Sequence, residues 1–157
     1  MERISFAIGN TGYNLELEEA RRLVAQLDTA IKALDPCLPI GPIIVVTGGQ
    51  ELRNAAWVRT RLDQEMPGIL VHGGCSTGVD FDADQWAKLR KQPHLAFPAR
   101  WDKYGAAADP IRNECMLHTA KMLSVALRKE LRVLAFPGGR DCTVNAEALE
   151  INIKKVD

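Results

Sequence analysis

Two glycine-rich runs carry most of the residues in this chain that could do chemistry. The first is His72-Gly73-Gly74-Cys75-Ser76-Thr77-Gly78-Val79-Asp80, entered from the apolar run Gly68-Ile69-Leu70-Val71. The second is Phe136-Pro137-Gly138-Gly139-Arg140-Asp141-Cys142-Thr143, entered from Arg132-Val133-Leu134-Ala135. Glycines placed where a buried strand turns into a helix let backbone N–H groups approach an anion at the positive helix end. Two such loops in one small chain point to a ligand bearing phosphate, a nucleotide or a derivative of one. Thr47-Gly48-Gly49-Gln50 is a third glycine turn, which a tight strand-to-helix connection explains equally well. The sequence holds no G-x-x-x-x-G-K-[ST] loop and no G-x-G-x-x-G after its first strand-like run. ATP hydrolysis of the first type and a standard NAD-binding unit are therefore unsupported.

Other chemistry-bearing residues read more simply. Asp80-Phe81-Asp82-Ala83-Asp84 begins like a calcium loop, but Gln85 and Lys91 stand where that loop needs glycine and glutamate. Acids in the first turn of a helix stabilise its dipole, which is the plainer reading. His72, His94 and His118 form no i,i+4 pair, so His72 is expected as a strand-end residue near the pocket and the other two as structural. Cys37, Cys75, Cys115 and Cys142 are scattered, without the close pairing of zinc sites or the density of a disulfide frame. No metal and no cofactor is expected, and the cysteines read as reduced thiols. Cys75 and Cys142 sit at the glycine loops, yet no base neighbours either in sequence to make it a nucleophile.

These residues must be held by elements, and short apolar runs alternate with helical patterns along the chain. Arg3 to Ile8 reads as a strand, and Leu17, Ala20, Leu23, Leu27, Ile31 and Leu34 mark one face of a helix that Pro36 ends. Strands follow over 42–47, 68–71, 94–97 and 131–136, with helices over 51–65, 79–91 and from Pro110 to about Leu127. Residues 98–109 read as irregular, with Asp109 as the N-cap before Pro110, and 145–155 as a terminal helix. This alternation predicts an α/β fold, a single Rossmann-like domain whose mainly parallel sheet is covered by helices on both faces. Ligands of such sheets sit beyond the carboxyl ends of the strands, where both glycine loops emerge.

Composition narrows the partners. The 157 residues are 46% hydrophobic and 25% charged, those of an ordinary globular domain. Twenty basic residues balance twenty acidic ones, so no global field draws nucleic acid or a membrane surface. No apolar run approaches the roughly 20 residues that span a bilayer. Met1-Glu2-Arg3-Ile4 carries no signal-peptide pattern, so a cytoplasmic protein is expected.

A set of separated motifs also agrees in order from about Ile43 to Ala148: Val46-Thr47-Gly48, Val71-His72-Gly73-Gly74, Gly78-Val79-Asp80, Phe97-Pro98-Ala99, Trp101, Tyr104-Gly105, Pro110-Ile111-Arg112-Asn113, Met116 and Ala135-Phe136-Pro137-Gly138-Gly139. This set resembles the YspA-type branch of the SLOG superfamily, which includes lonely-guy phosphoribohydrolases, the DNA-uptake protein DprA and nucleotide-sensing domains. The resemblance implies a core over 42–157 with 1–41 as a strand-helix extension of one domain over 1–157. It also implies a nucleotide pocket. Gly73, Gly74 and Gly78 would form the first phosphate-facing turn, with Ser76 and Thr77 on the same loop. Gly138 and Gly139 would form the second, with Arg140 beside them and the Thr143 hydroxyl at the next helix start. Gly48 would contribute from the third turn. Arg112 and Asn113 stand at the relatives' Arg-Asn pair, where a guanidinium grips phosphate in a way lysine cannot copy. Trp101 and Tyr104 could stack on a base.

The departures from the pattern bear on function. The first loop is one residue longer than expected, and Asp109 replaces a glycine, placing a carboxylate near the proposed anion. The phosphoribohydrolases carry P-G-G-x-G-T-x-E-E, but here Asn145 and Ala146 stand at the glutamate positions. An amide cannot act as general acid or base, which leaves Glu147, one residue late, or Asp141. The favoured reading is a binding module for a nucleotide-derived small molecule, acting as sensor or sequestering protein. The alternative is a nucleoside-monophosphate phosphoribohydrolase cleaving an N-glycosidic bond. Single-stranded DNA handling is weakened by the balanced charge. With little chain left for a last strand, the sheet edge is expected to need covering by the N-terminal segment or by a second copy in a homo-oligomer.

Overall fold

The computed structural model describes residues 3–8, 11–16, 21–22, 25–26 and 40–157. They fall into two units, Met1–Leu38 and Pro39–Asp157. In the first, strand β1 (Arg3–Ile8) pairs antiparallel with β2 (Thr11–Glu16), from Arg3 opposite Glu16 to Ile8 opposite Thr11. β1 was expected and β2 was not, although Tyr13 and Leu15 alternate with Gly12, Asn14 and Glu16 at the period of a strand. Of the helix expected over 17–34, residues 21–22 and 25–26 are helical and the rest lies outside the described residues.

The second unit is an all-parallel five-stranded sheet: β3 (Ile43–Thr47), β4 (Ile69–His72), β5 (His94–Ala96), β6 (Leu131–Ala135) and β7 (Asn152–Lys155). Its spatial order is β5-β4-β3-β6-β7. The helices are α1 (Ala55–Glu65), α2 (Gly78–Arg90), the single turn α3 (Trp101–Tyr104), α4 (Ala108–Leu127) and α5 (Arg140–Ala148). β3 is central because Ile43-Ile44-Val45-Val46 is β-branched throughout and fully buried, the composition of a strand covered on both faces.

Alternation along the strands builds two cores. Ile44, Val46, Leu70 and Leu134 pack with Val58 and Leu62 of α1 and Val79, Ala83 and Ala87 of α2. Their neighbours Ile43, Val45, Val71 and Val133 pack with Met116, Leu117 and Ala120 of α4 and Ala146 of α5. Successive side chains of a strand point to opposite faces, so β3, β4 and β6 each feed both cores. This is the expected Rossmann-like α/β arrangement. Among the described residues, no helix is long and apolar enough to cross a membrane.

Two expectations for the sheet's surroundings are corrected. In place of the terminal helix expected over 145–155 stand the helix α5 and then β7, which supplies a last strand at that edge of the sheet. The change comes at Glu150, whose φ of 56° turns the chain out of the helix and into a strand paired with β6. The irregular stretch 98–109 instead contains α3, a 3₁₀ turn over Gly105–Ala107 and the start of α4 at Ala108. Proline is tolerated throughout a first helical turn, so Pro110 does not mark the helix start and Asp109 lies inside the helix rather than capping it.

From β3 the chain steps outward through β4 to β5, then returns across the sheet to place β6 and β7 on β3's other side. The connections therefore diverge between the carboxyl ends of β3 and β6, and a crevice opens there.

Candidate functional site

A cavity of about 270 Å³ lies at this divergence. Thr47 at the end of β3 with Gly48 and Gln50 after it form one wall, Gly73 and Cys75 after β4 another, and Gly138 and Gly139 after β6 a third. The turns are fastened to one another. The Gly49 N–H donates to the Pro137 carbonyl at 2.7 Å, joining the β3 and β6 turns. At Gly78 φ is +74°, and a Cβ there would lie 2.5 Å from Gln50 Cα, so the β4 loop can nest on the β3 turn only with glycine.

Arg112, on the first turns of α4, lies across the mouth of the β4 loop. Its Nη1 donates to the Gly73 carbonyl and reaches Cys75 Sγ at 3.7 Å. Nε donates to Asn113 Oδ1 and Nη2 to Asp109 Oδ1, both at 2.8 Å. Asp80 Oδ2 stands 3.9 Å from Nη1, and both side chains are 9% exposed. A Cβ on Gly73 would collide with the guanidinium and lie 2.6 Å from Asp80 Oδ2. A side chain at position 73 would thus push apart the ends of a buried ion pair. Four of the five guanidinium protons have acceptors within the protein, which fixes the plane of the group and leaves little of it for a ligand.

Three carboxylates line the cavity, each in the first turn of a different helix: Asp80 on α2, Asp109 on α4 and Asp141 on α5. That position complements the positive helix end. The three helix starts therefore converge on one space with acceptors for hydroxyl and amine protons already in place.

The thiols beside them are quiet. Burial pushes Cys75 up, Asp80 adds to the rise, and Arg112 only partly opposes it. Burial also pushes Cys142 up, against a hydrogen bond with Thr47. Both are protonated at neutral pH, the state of a packing group rather than a nucleophile. Among the described residues Cys75, Cys115 and Cys142 are free thiols. His72 is lowered, chiefly by its burial, against the pull of Asp80 and Asp84.

Of the residues expected at a site, Gly48, Gly73, Arg112, Asn113, Gly138, Gly139 and Asp141 line this cavity. Gly74, Ser76, Thr77, Gly78, Trp101 and Glu147 do not. Gly74 donates its N–H to His72 Nδ1 at 3.2 Å, and Thr77 is the N-cap of α2. Trp101 is about half exposed on α3, and Lys103 Nζ lies 4.9 Å over the ring of Tyr104. Thr143 borders a separate hollow with Lys155 and Asp157. Arg140 opens α5, and its side chain lies outside the described atoms. Thr47, Gln50 and Asp80 were not expected as site residues. The first two flank the glycines of the third turn, and Asp80 closes the first loop, so adjacency to glycine was the available signal.

No curated protein sequence matches the chain. Among solved structures it is similar to the Moco carrier protein from Chlamydomonas reinhardtii, with 15% identity and a TM-score of 0.36, over 74% of this chain and 90% of that one. The segment that matches a family model runs from the start of β3 to the end of α3, taking in the first two turns of the cavity and ending before Arg112. That model describes the YspA, cpYpsA-related SLOG family, and residues 42–104 are similar to it.

Proposed function

We propose that the protein binds a nucleotide or nucleotide-derived small molecule in the cavity at the carboxyl ends of β3 and β6. The observation that carries this reading is the meeting of three glycine turns and three helix N-termini on one hollow at the point where the strand order reverses. Backbone N–H groups at helix starts suit phosphate oxygens. The carboxylates of Asp80, Asp109 and Asp141 suit ribose hydroxyls or the exocyclic amine of a base. A volume of about 270 Å³ falls just short of the usual small-molecule pocket (~300–1,000 Å³), so part of a nucleotide would rest on the rim.

Native mass spectrometry of the protein as purified, followed by calorimetric titration with AMP, ADP-ribose and cyclic nucleotides, tests this. One ligand bound per chain is expected, and no heat with any of them overturns the reading. A second reading, N-glycosidic cleavage, is favoured by Asp141 alone, because it faces the cavity while Glu147 does not. In the AMP sample that reading requires release of free base, lost in Asp141→Asn. An unchanged AMP sample leaves the binding module.

A further inference from the structure

Beside the first glycine loop, but outside the cavity lining, His72, Asp84 and His94 meet. His72 ends β4 and His94 begins β5. Leu70 is opposite His94 and His72 opposite Ala96, so the two histidines stand diagonally on one face of the sheet. Asp84 comes from α2, one helical turn after Asp80, and projects between them. Its Oδ1 is 3.6 Å from Nε2 of each histidine, and the three atoms lie within 4.8 Å of one another. The rings are nearly parallel, at 18°, with centroids 6.0 Å apart.

The hydrogen bonding leaves this meeting point unfinished. His72 is 1% exposed, and its Nε2 has no hydrogen-bond partner. His94 Nδ1 is 2.9 Å from the Gln92 carbonyl, an acceptor only, so in the neutral ring Nδ1 carries the proton and Nε2 presents a lone pair. That lone pair faces a carboxylate oxygen, and two acceptors do not bond to each other. Lys88 Nζ, at 2.6 Å, neutralises the other oxygen, Oδ2, and leaves Oδ1 turned toward the rings.

We propose that His72 Nε2, Asp84 Oδ1 and His94 Nε2 form a binding site for one divalent transition-metal ion of the zinc class. Two imidazoles and a carboxylate suit such ions. Bonds of about 2.0–2.2 Å in tetrahedral geometry put ligand atoms about 3.3–3.6 Å apart, close to the 3.6 Å that separates Asp84 Oδ1 from each histidine. His94's Nδ1–H on a backbone carbonyl and Lys88 on the free carboxylate oxygen are the outer contacts that orient such ligands. His94 and Asp84 are partly exposed, which gives the ion a path from solvent and leaves a fourth position for water or a ligand atom. On binding, the proton of His72 moves from Nε2 to Nδ1, and the Gly74 N–H gives up its acceptor. Occupancy thus reaches into the first glycine loop. Ligand spacing in the sequence hides the site because each residue comes from a different element.

The full-length protein, stripped with a chelator and dialysed, would be titrated with Zn(II) by calorimetry and with Co(II) by visible absorption. One equivalent is expected, with a Co(II) d–d band of four- or five-coordinate intensity. His94→Gln and Asp84→Asn, checked for folding by circular dichroism, should each weaken binding by more than the ~10–100-fold cost of an outer contact. His118→Gln, whose ring is half exposed on α4, should bind as the parent does. Absence of stoichiometric binding overturns the proposal. So does binding that survives both His94→Gln and Asp84→Asn, which would place the ion elsewhere. Neither result bears on nucleotide binding, which is read in the separate titration.

Discussion

Arg112 and Glu65 are both charged groups taken out of water, and they are surrounded in opposite ways. Arg112 is a cation among Asp80, Asp109, the Asn113 amide and the Gly73 carbonyl, and it lines a cavity. Glu65, at the end of α1 and 5% exposed, is an anion among three cations: Arg132 Nη1 at 2.9 Å, Lys154 Nζ at 2.7 Å and Arg61 Nε at 3.5 Å. It does not line that cavity. The partners of Glu65 come from α1, β6 and β7, so the network ties a helix to two strands. Those of Arg112 come from a glycine loop and two helix starts, the parts that would touch a ligand. One network fastens secondary-structure elements together, whereas the other holds a loop in the shape that a ligand would meet.

The largest expected effect lies at Arg112. Arg112→Ala leaves Asp80 buried without its cation and the Gly73 carbonyl without its donor, a loss of about 3–5 kcal/mol. Urea denaturation measures it, and nucleotide binding should vanish with it. Because that variant could fail to fold, Arg112→Lys is the companion. It keeps the charge but not the fork, and should fold while binding nucleotide at least tenfold more weakly. If Arg112→Ala costs less than a comparable change at Glu65, the contrast between the two networks is wrong.

Glu65→Gln comes second. Its partners are one-quarter to one-half exposed and can regain water, so the expected loss is about 1–3 kcal/mol, with most of the screening falling on Lys154. Nucleotide affinity, measured by the same titration, should stay within about twofold. A large fall in affinity would mean that the far network also shapes the cavity.

The same contrast explains what could be read from the sequence. β3, β4 and β6 are legible because β-branched and aliphatic runs end in glycine. α4 is legible from Met116, Ala120 and Leu123 at helical spacing. The break between α5 and β7 was not, since Glu150 enters the left-handed region without a glycine or proline to announce it. At the site, Arg112 was legible but its engagement was not. The partners Asp80 and Gly73 belong to another helix and another loop, and only the folded sheet brings them together. That meeting also gives Gly73 a physical reason that phosphate binding alone did not supply. The His72, Asp84 and His94 group escaped for the same cause, because proximity across parallel strands follows from register rather than from spacing.

The smallest perturbation is chemical, and it reads the Arg112 network without breaking it. Cys75 Sγ lies 3.7 Å from Arg112 Nη1 and 3.6 Å from Gln50 Nε2. Its thiol is raised by burial and by Asp80, so the thiolate that reacts with iodoacetamide is scarce at pH 7. Modification of Cys75 should be at least about tenfold slower at pH 7 than that of exposed Cys115, as read by peptide mass mapping. The sign follows from the direction of the shift. Raising the pH past the ordinary thiol value of about 8.5 should accelerate Cys75 over a range where an unshifted thiol has already levelled off. In Arg112→Lys the opposing pull persists as a charge but loses its hydrogen bond, so Cys75 should move further into the alkaline range. A nucleotide bound in the cavity should protect Cys75 and leave Cys115 unprotected. Equal modification of the two thiols at pH 7 would show that the loop holding Gly73 opens in solution. Arg112 would then be no better enclosed than the cations around Glu65.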